Sequence, residues 1–376
     1  MKIALLSQNV SPGLLIFRKD LIKQLVSQGH EVYAFASDFT ENNKKELQQL
    51  GATPVDYPLE RAGINPIKDF YNWVKLYRQL KLVAPEVILC FFIKPSIYGI
   101  LAAKIAGVKR RFAMIEGLGY AFTPDINGFS RKKQVLQRVL GLLMTISFRY
   151  ADRVFFLNKD DPKDVLIQAR IKQEKIVSFG PIGINLDEFP FFNIEDSKPL
   201  RFIFVARLLK EKGVYEFIKA AKIVKNSCSQ VEFVLLGGLD EENPSGLSLQ
   251  ELEDLIADNT VIYAGYVKNV AEWISQSHVF VLPSYREGMP RSTQEAMSIG
   301  RAIITTDVPG CRETVNDGIN GFLVPAYDHK VLAEKMLYLA ENPEEVASMG
   351  KESHKMAKEN FDSNKINMKL INYILY

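Results

Sequence analysis

Residues 279–306 read VFVLPSYREGMPRSTQEAMSIGRAIITT. Val279–Leu282 is apolar without alternation and stops at Pro283, the pattern of a short strand buried on both faces. Ala296–Ile299 followed by Gly300 gives a helix and its stop, and Ala302–Thr306 a second strand. Strand, helix and strand in this order predict a parallel crossover unit. The connecting loop carries the chemistry. Glu287 falls in the strand-to-helix loop and Glu295 about two turns into the helix. Gly288 lets backbone come close to a ligand. Pro290 suits the first helical position, and the free N–H groups beyond it form an anion site. One carboxylate beside an anion site, with another deeper along the same wall, suits a ligand bearing sugar hydroxyls and a diphosphate.

The same alternation runs through all 376 residues. Strands are expected at 2–7, 31–37, 53–57, 87–93, 111–115, 153–158 and 176–179, separated by helices that include 16–28, 66–83 and 130–150. A second series begins with a strand at 201–206 and continues through 232–237, 261–264, 279–282, 302–306 and 321–324. The fold class is α/β, with two Rossmann-like doubly wound domains whose strand ends face a ligand. The Gly/Pro/Asp-rich stretch 180–199 reads as the crossover, and the last ~25 residues as an amphipathic helix. Cys90, Cys228 and Cys311 are far apart and show neither metal-ligand spacing nor a disulfide framework, which points to a reducing compartment. Residues 1–10 have too short an apolar core for a signal peptide, and no stretch approaches the ~18–20 apolar residues of a membrane span. A cytoplasmic protein is expected.

The net charge of +3 hides an asymmetry. Residues 1–150 carry 21 Lys+Arg against 11 Asp+Glu, a net of +10, and residues 151–376 carry 26 against 33, a net of −7. No acidic residue lies between Asp125 and Asp152, a stretch that holds Arg131, Lys132, Lys133, Arg138 and Arg149. Val135, Leu136, Val139, Leu140, Leu143 and Ile146 recur there at helical spacing. A basic amphipathic helix of this kind can lie on an anionic membrane, or it is an ordinary helix whose apolar stripe packs on its own sheet; both hold if that face is internal and the basic rim meets lipid head groups. Nucleic acid is not expected, because no recognised binding motif accompanies the charge.

Strand 201–206 runs into Arg207 and, within a turn, Lys212. A guanidinium fork and a compact ammonium at one strand's carboxyl end fit the oxygens of a diphosphate. The chain has no Asp-x-Asp triplet to hold a diphosphate through a divalent metal. Two cations and a helix start would take that role, so activity without metal is expected.

Val205–Gly213, Leu236–Gly238, Ala264–Val267, Leu282–Ser284, Glu287–Glu295, Thr306–Glu313 and Asp317–Pro325 together resemble the retaining nucleotide-sugar transferases of glycosyltransferase family 4, which have the GT-B fold. That resemblance implies an N-terminal acceptor domain over 1–186, a nucleotide-sugar domain over 187–355 and a C-terminal helix over 356–376 packing back on the first domain. It implies that Arg207 and Lys212 hold the diphosphate and that Glu295 accepts hydrogen bonds from the ribose. Glu287, with the backbone of Gly288, Met289, Pro290, Arg291 and Ser292, reads the donor sugar and its phosphates. Gly237, Gly238 and the loop containing Val267 border the base, and Gly13 brings backbone near the diphosphate. Family members often have His where this chain has Glu116, a residue that cannot donate a hydrogen bond while ionised. An unpaired buried Glu is costly, so a functional role is expected for Glu116.

Within the family, Lys94, Pro95, Tyr98–Lys104 and Glu116–Gly119 are most similar to bacterial transferases that extend a glycan on undecaprenyl diphosphate. The expected reaction moves a hexose or N-acetylhexosamine from a UDP-sugar to such an acceptor at the inner face of the cytoplasmic membrane, for O-antigen, capsule or protein-linked glycan. No metal and no cofactor beyond the donor substrate are expected. A soluble acceptor, or a UDP-N-acetylglucosamine epimerase of the same fold, is the alternative. A nicotinamide dehydrogenase is disfavoured because the first loop lacks Gly-x-Gly-x-x-Gly.

Overall fold

The computed structural model describes residues 1–59, 66–193, 199–240, 243 and 245–376, with Pro66 described by its backbone. Part of the crossover expected over 180–199 therefore lies outside the described residues. The chain divides into two compact units. Unit 1 comprises Met1–Phe122, Phe129–Ile182 and Ser363–Tyr376, and unit 2 comprises Thr123–Gly128 and Gly183–Asp362.

In unit 1 the strands are β1 (Lys2–Leu6), β2 (Glu31–Ala36), β3 (Ala52–Asp56), β4 (Val87–Phe91), β5 (Arg110–Ile115), β6 (Arg153–Phe156) and β7 (Ile176–Ser178). They form one parallel sheet in the order β3-β2-β1-β4-β5-β6-β7. The helices are α1 (Lys19–Ser27), α2 (Glu41–Gln49), α3 (Pro66–Val83), α4 (Ile93–Ala106), α5 (Arg131–Phe148) and α6 (Asp161–Gln168). Every residue of β4 is buried, as its unbroken apolar run requires in a sheet covered on both faces. In unit 2, β8 (Arg201–Val205), β9 (Glu232–Leu236), β10 (Ile262–Gly265), β11 (Val279–Leu282), β12 (Ala302–Thr306) and β13 (Gly321–Val324) pair in the order β10-β9-β8-β11-β12-β13, again all parallel. Its helices are α7 (Val214–Ser227), α8 (Leu249–Ile256), α9 (Val270–Ser275), α10 (Arg291–Ile299), α11 (His329–Glu341) and α12 (Pro343–Asn360). Residues 279–306 are β11, α10 and β12, with Gly300 left-handed at the helix stop (φ 89°).

Four local differences from the sequence reading have physical causes. The helix expected from Ile16 starts at Lys19, because the carbonyls of Val10 and Pro12 each accept two N–H groups and no regular ladder begins. The apolar run 87–93 is not one strand. Phe92 adopts φ 65°, and α4 starts at Ile93 with Pro95 in its first turn, where a missing N–H costs no helical bond. The terminal helix is two: α12 ends at Asn360, and α13 (Ser363–Leu375) packs on α1 within unit 1. Finally, α5 turns polar side chains inward. Lys133, Gln137 and Ser147 are buried, while Val135, Val139 and Ile146 are exposed and Leu136, Leu140 and Leu143 half-buried.

Candidate functional site

In each sheet the strand order reverses at one place, between β1 and β4 in unit 1 and between β8 and β11 in unit 2. Ligands of open α/β sheets bind beyond the strand carboxyl ends at such a point. In unit 2, β8 delivers Arg207 and Lys212 there, and β11 delivers the loop from Pro283 to Pro290. These two loops are in contact. Lys212 Nζ lies 2.5 Å from Glu287 Oε1, and Ser284 Oγ donates to the same oxygen at 2.8 Å. Tyr285 N–H donates to the Glu211 carbonyl at 2.9 Å.

Glycines allow this closeness. Gly213 is left-handed (φ 76°), and a Cβ there would stand 2.1 Å from the Pro283 carbonyl oxygen. Gly310 is likewise left-handed (φ 84°), and its Cβ would stand 2.3 Å from the Glu287 carbonyl oxygen. A side chain at Gly213 would push the Lys212 loop from the loop after β11, and one at Gly310 would push the loop after β12 from the Glu287 backbone. Gly237 passes so near the Ala206 carbonyl that a Cβ would stand 1.8 Å from it, and the Gly238 carbonyl accepts the Leu208 N–H at 3.0 Å. The glycine pair thus seats the end of β9 against the Arg207 loop.

Arg207 is half-exposed, and its Nη1 lies 2.5 Å from Asp240 Oδ2. Asp240 was not anticipated from the sequence, although a carboxylate just past the neighbouring strand was the available signal. Helix α10 begins at Arg291, not at Pro290. Pro290 is the N-cap residue with extended ψ (122°), its carbonyl accepts the Gln294 N–H, and its own side chain offers no cap. On the helix, Arg291 Nε binds Glu295 Oε1 at 2.8 Å. Burial raises the Glu295 carboxyl above its ordinary range, Arg291 pulls it back, and Glu188 adds to the rise. Val267 is half-buried and follows the exposed Tyr266, whose Cβ lies 3.8 Å from the position of a Gly238 Cβ. Among the described residues, no group of three or more His, Cys, Asp or Glu is arranged to hold a metal ion.

Gly13 and Glu116 belong to unit 1. A Cβ on Gly13 would stand 2.2 Å from Ser7 Oγ, and its N–H donates to Asn9 Oδ1 at 2.9 Å, so its nearest neighbours are its own loop. Glu116 follows β5 and is buried, but it is not alone. Arg18 donates to its Oε1, and the same guanidinium lies 4.1 Å from the Phe91 ring centroid. The premise that Glu116 is an unpaired charge was therefore wrong. Arg18 lies 98 residues away in sequence and carries no local signal of the pairing.

Two doubly wound parallel sheets, with the Arg207–Lys212 loop and the loop leading into α10 in contact at the β8/β11 switch point, define an α/β protein with a candidate ligand site in its C-terminal unit. The family description "Glycosyl transferases group 1" matches residues 186–356, and "Glycosyl transferase 4-like" matches residues 2–158. The N,N'-diacetylbacillosaminyl-diphospho-undecaprenol alpha-1,3-N-acetylgalactosaminyltransferase of Campylobacter jejuni is 32% identical over 91% of this chain and 90% of its own length. The UDP-Gal:alpha-D-GlcNAc-diphosphoundecaprenol alpha-1,3-galactosyltransferase of Escherichia coli is 27% identical over 71% of this chain and 69% of its own. HepE of Anabaena, solved with UDP and glucose, shares the fold with a TM-score of 0.77 and 20% identity over 99% of both chains. The chain belongs to the group 1 glycosyltransferases and has the GT-B fold.

If Glu295 binds ribose, its ionisation governs donor affinity. Both of its oxygens accept from hydroxyls only when it is deprotonated, so bound donor favours the charged form and binding releases a proton. Because the carboxyl is raised, donor affinity should strengthen as pH rises through that raised value, and weaken below it at a higher pH than an ordinary carboxylate would give. Calorimetry with a UDP-sugar, whose diphosphate diester does not titrate near neutrality, between about pH 5 and 8 tests this. Glu295→Gln should bind weakly with a flat profile. A wild-type profile as flat as the variant's would remove Glu295 from the ribose site.

Proposed function

We propose that this glycosyltransferase moves a hexose or N-acetylhexosamine, with retention of anomeric configuration and without a metal ion, from a UDP-sugar to a glycan on a polyprenyl diphosphate. The observation that carries the reading is the convergence of Arg207, Lys212 and the loop leading into α10 at the β8/β11 switch point. Asp240 and Glu287 hold the two cations in the resting protein. The donor diphosphate would exchange with these carboxylates, taking charge-assisted bonds from Arg207 and Lys212 and backbone N–H groups of Arg291 and Ser292. Glu295 accepts from the ribose, and Gly237, Gly238 and Val267 border the base. Glu287 and the Gly288–Pro290 backbone meet the sugar.

In the reaction the bond from the anomeric carbon to the phosphate oxygen breaks, and the acceptor oxygen bonds to that carbon on the same face. The acceptor's proton passes to the departing phosphate oxygen. Lys212 and Arg207 stabilise the negative charge that grows there and act neither as acid nor as base. The lack of an Asp-x-Asp triplet supports the metal-free reading. The C. jejuni and E. coli relatives' acceptors support the lipid diphosphate, which unit 1 would bind with its basic surface, peripherally at the inner face of a bacterial cytoplasmic membrane.

The test is UDP release from a panel of UDP-sugars in EDTA, with and without a lipid-diphosphate-linked glycan. Release that depends on one sugar and on the lipid acceptor is expected, with UDP-N-acetylgalactosamine, UDP-galactose and UDP-N-acetylglucosamine the first donors to try. Turnover abolished by EDTA and restored by Mg²⁺ or Mn²⁺ would overturn the metal-free claim. An epimerised sugar released without any acceptor would replace transfer by isomerisation.

A further inference from the structure

Helix α5 buries Met144 and Phe148 in the core together with several polar side chains. Its inward face is fixed by polar contacts: Gln137 Nε2 donates to the Ala121 carbonyl at 2.9 Å, and Ser147 Oγ to the Ile97 carbonyl at 2.7 Å. Lys133 is buried with its ammonium 4.4 Å from the Tyr120 ring centroid. At Gly141 a Cβ would stand 2.2 Å from the Gln168 carbonyl oxygen, so no larger residue could hold α5 this close to the end of α6. These contacts set the helix rotation and leave an apolar stripe outside. Val135 is 58% exposed, Val139 40%, Leu142 61% and Ile146 47%.

At about 100° per residue the four fall within an arc of about 60°. Arg131, Arg138 and Arg149 flank the arc on one side and Lys132 on the other, and all four are exposed. No carboxylate lies between Asp125 and Asp152 to offset them. On this helix the apolar ridge is flanked by cations and by no carboxylate. It is complementary to a surface with an apolar interior and an anionic face.

We propose that the exposed stripe of α5 inserts into the head-group region of an anionic phospholipid bilayer, with Arg131, Lys132, Arg138 and Arg149 on the lipid phosphates. The helix lies in the plane of the surface. This deepens the reading of a lipid-linked acceptor and rests on it for its purpose, not for its geometry. Among the described residues no helix is long and apolar enough to cross a membrane, so attachment through this surface is reversible.

The experiment is flotation of the full chain with vesicles of phosphatidylcholine alone or with added phosphatidylglycerol. In parallel, UDP release is measured on a detergent-dispersed lipid-linked acceptor. Wild type should float with the anionic vesicles, less so as salt rises. The Leu142→Asp/Ile146→Asp variant should lose about tenfold or more of that binding while keeping its unfolding temperature and its turnover in detergent. Equal flotation of variant and wild type would overturn the proposal, as would wild type that ignores anionic vesicles. So would a stripe whose aspartates merely convert a dimer to a monomer, which would assign it to a second copy of the chain. Wild type that floats as expected but turns nothing over in detergent would leave the membrane surface standing and count against the acceptor reading.

Discussion

Replacing Lys212 by Ala should lower kcat by about 10²- to 10³-fold and leave the acceptor KM nearly unchanged, the size of effect found when one group stabilising a developing oxyanion is removed. Its surroundings set this lysine apart from an average surface cation. It lies on the turn closed by Gly213, its side chain is 19% exposed, and Glu287, in the loop leading into α10, holds the ammonium. The ammonium is thus placed before the donor arrives. Steady-state kinetics with both substrates varied, together with calorimetry for UDP, separates the expected loss in the chemical step from a loss in binding. Lys212→Arg should recover part of the rate, since the charge returns with a different shape. A variant that keeps kcat and weakens only the acceptor would show that Lys212 does not face the leaving group.

Much of this was readable from the chain, for particular reasons. Strands such as 87–91 and 279–282 are continuous apolar runs in a parallel sheet, where burial on both faces leaves a strong signal. Gly213, Gly237 and Gly310, each inside a segment that carries the family resemblance, sit where backbones approach so closely that no side chain fits. Partners distant in sequence left little trace. Asp240 at Arg207, Arg18 at Glu116 and Tyr327 against Tyr285 (ring centroids 3.9 Å apart) are juxtapositions that periodicity does not encode. The rotation of α5 was left open for a related reason. The pattern of Val, Leu and Ile identifies a stripe, but polar contacts of Gln137 and Ser147 and the fit of Gly141 against Gln168 decide which way it points.

The buried pair of unit 1 gives the largest expected effect on stability. Arg18→Met leaves the Glu116 carboxylate without the guanidinium that pairs with it, in a site where the two side chains are 3% and 5% exposed. Breaking a buried pair from one side costs about 3–5 kcal/mol, because the remaining charge keeps its desolvation penalty. Denaturant unfolding should show that loss, and proteolysis should report it in unit 1. Adding Glu116→Gln to Arg18→Met should recover most of it, since a neutral amide carries a far smaller penalty. The stable double variant then decides what Glu116 does. If its side chain touches the donor sugar or the acceptor, the double variant folds but turns over at a small fraction of the wild-type rate, and Arg18 is a positioning residue that keeps the carboxylate in place. If Glu116 serves only to hold the end of β5 against the segment before α1, the double variant is both stable and active. Full activity would remove Glu116 from the site, and no arrangement of the donor residues in unit 2 would need to change.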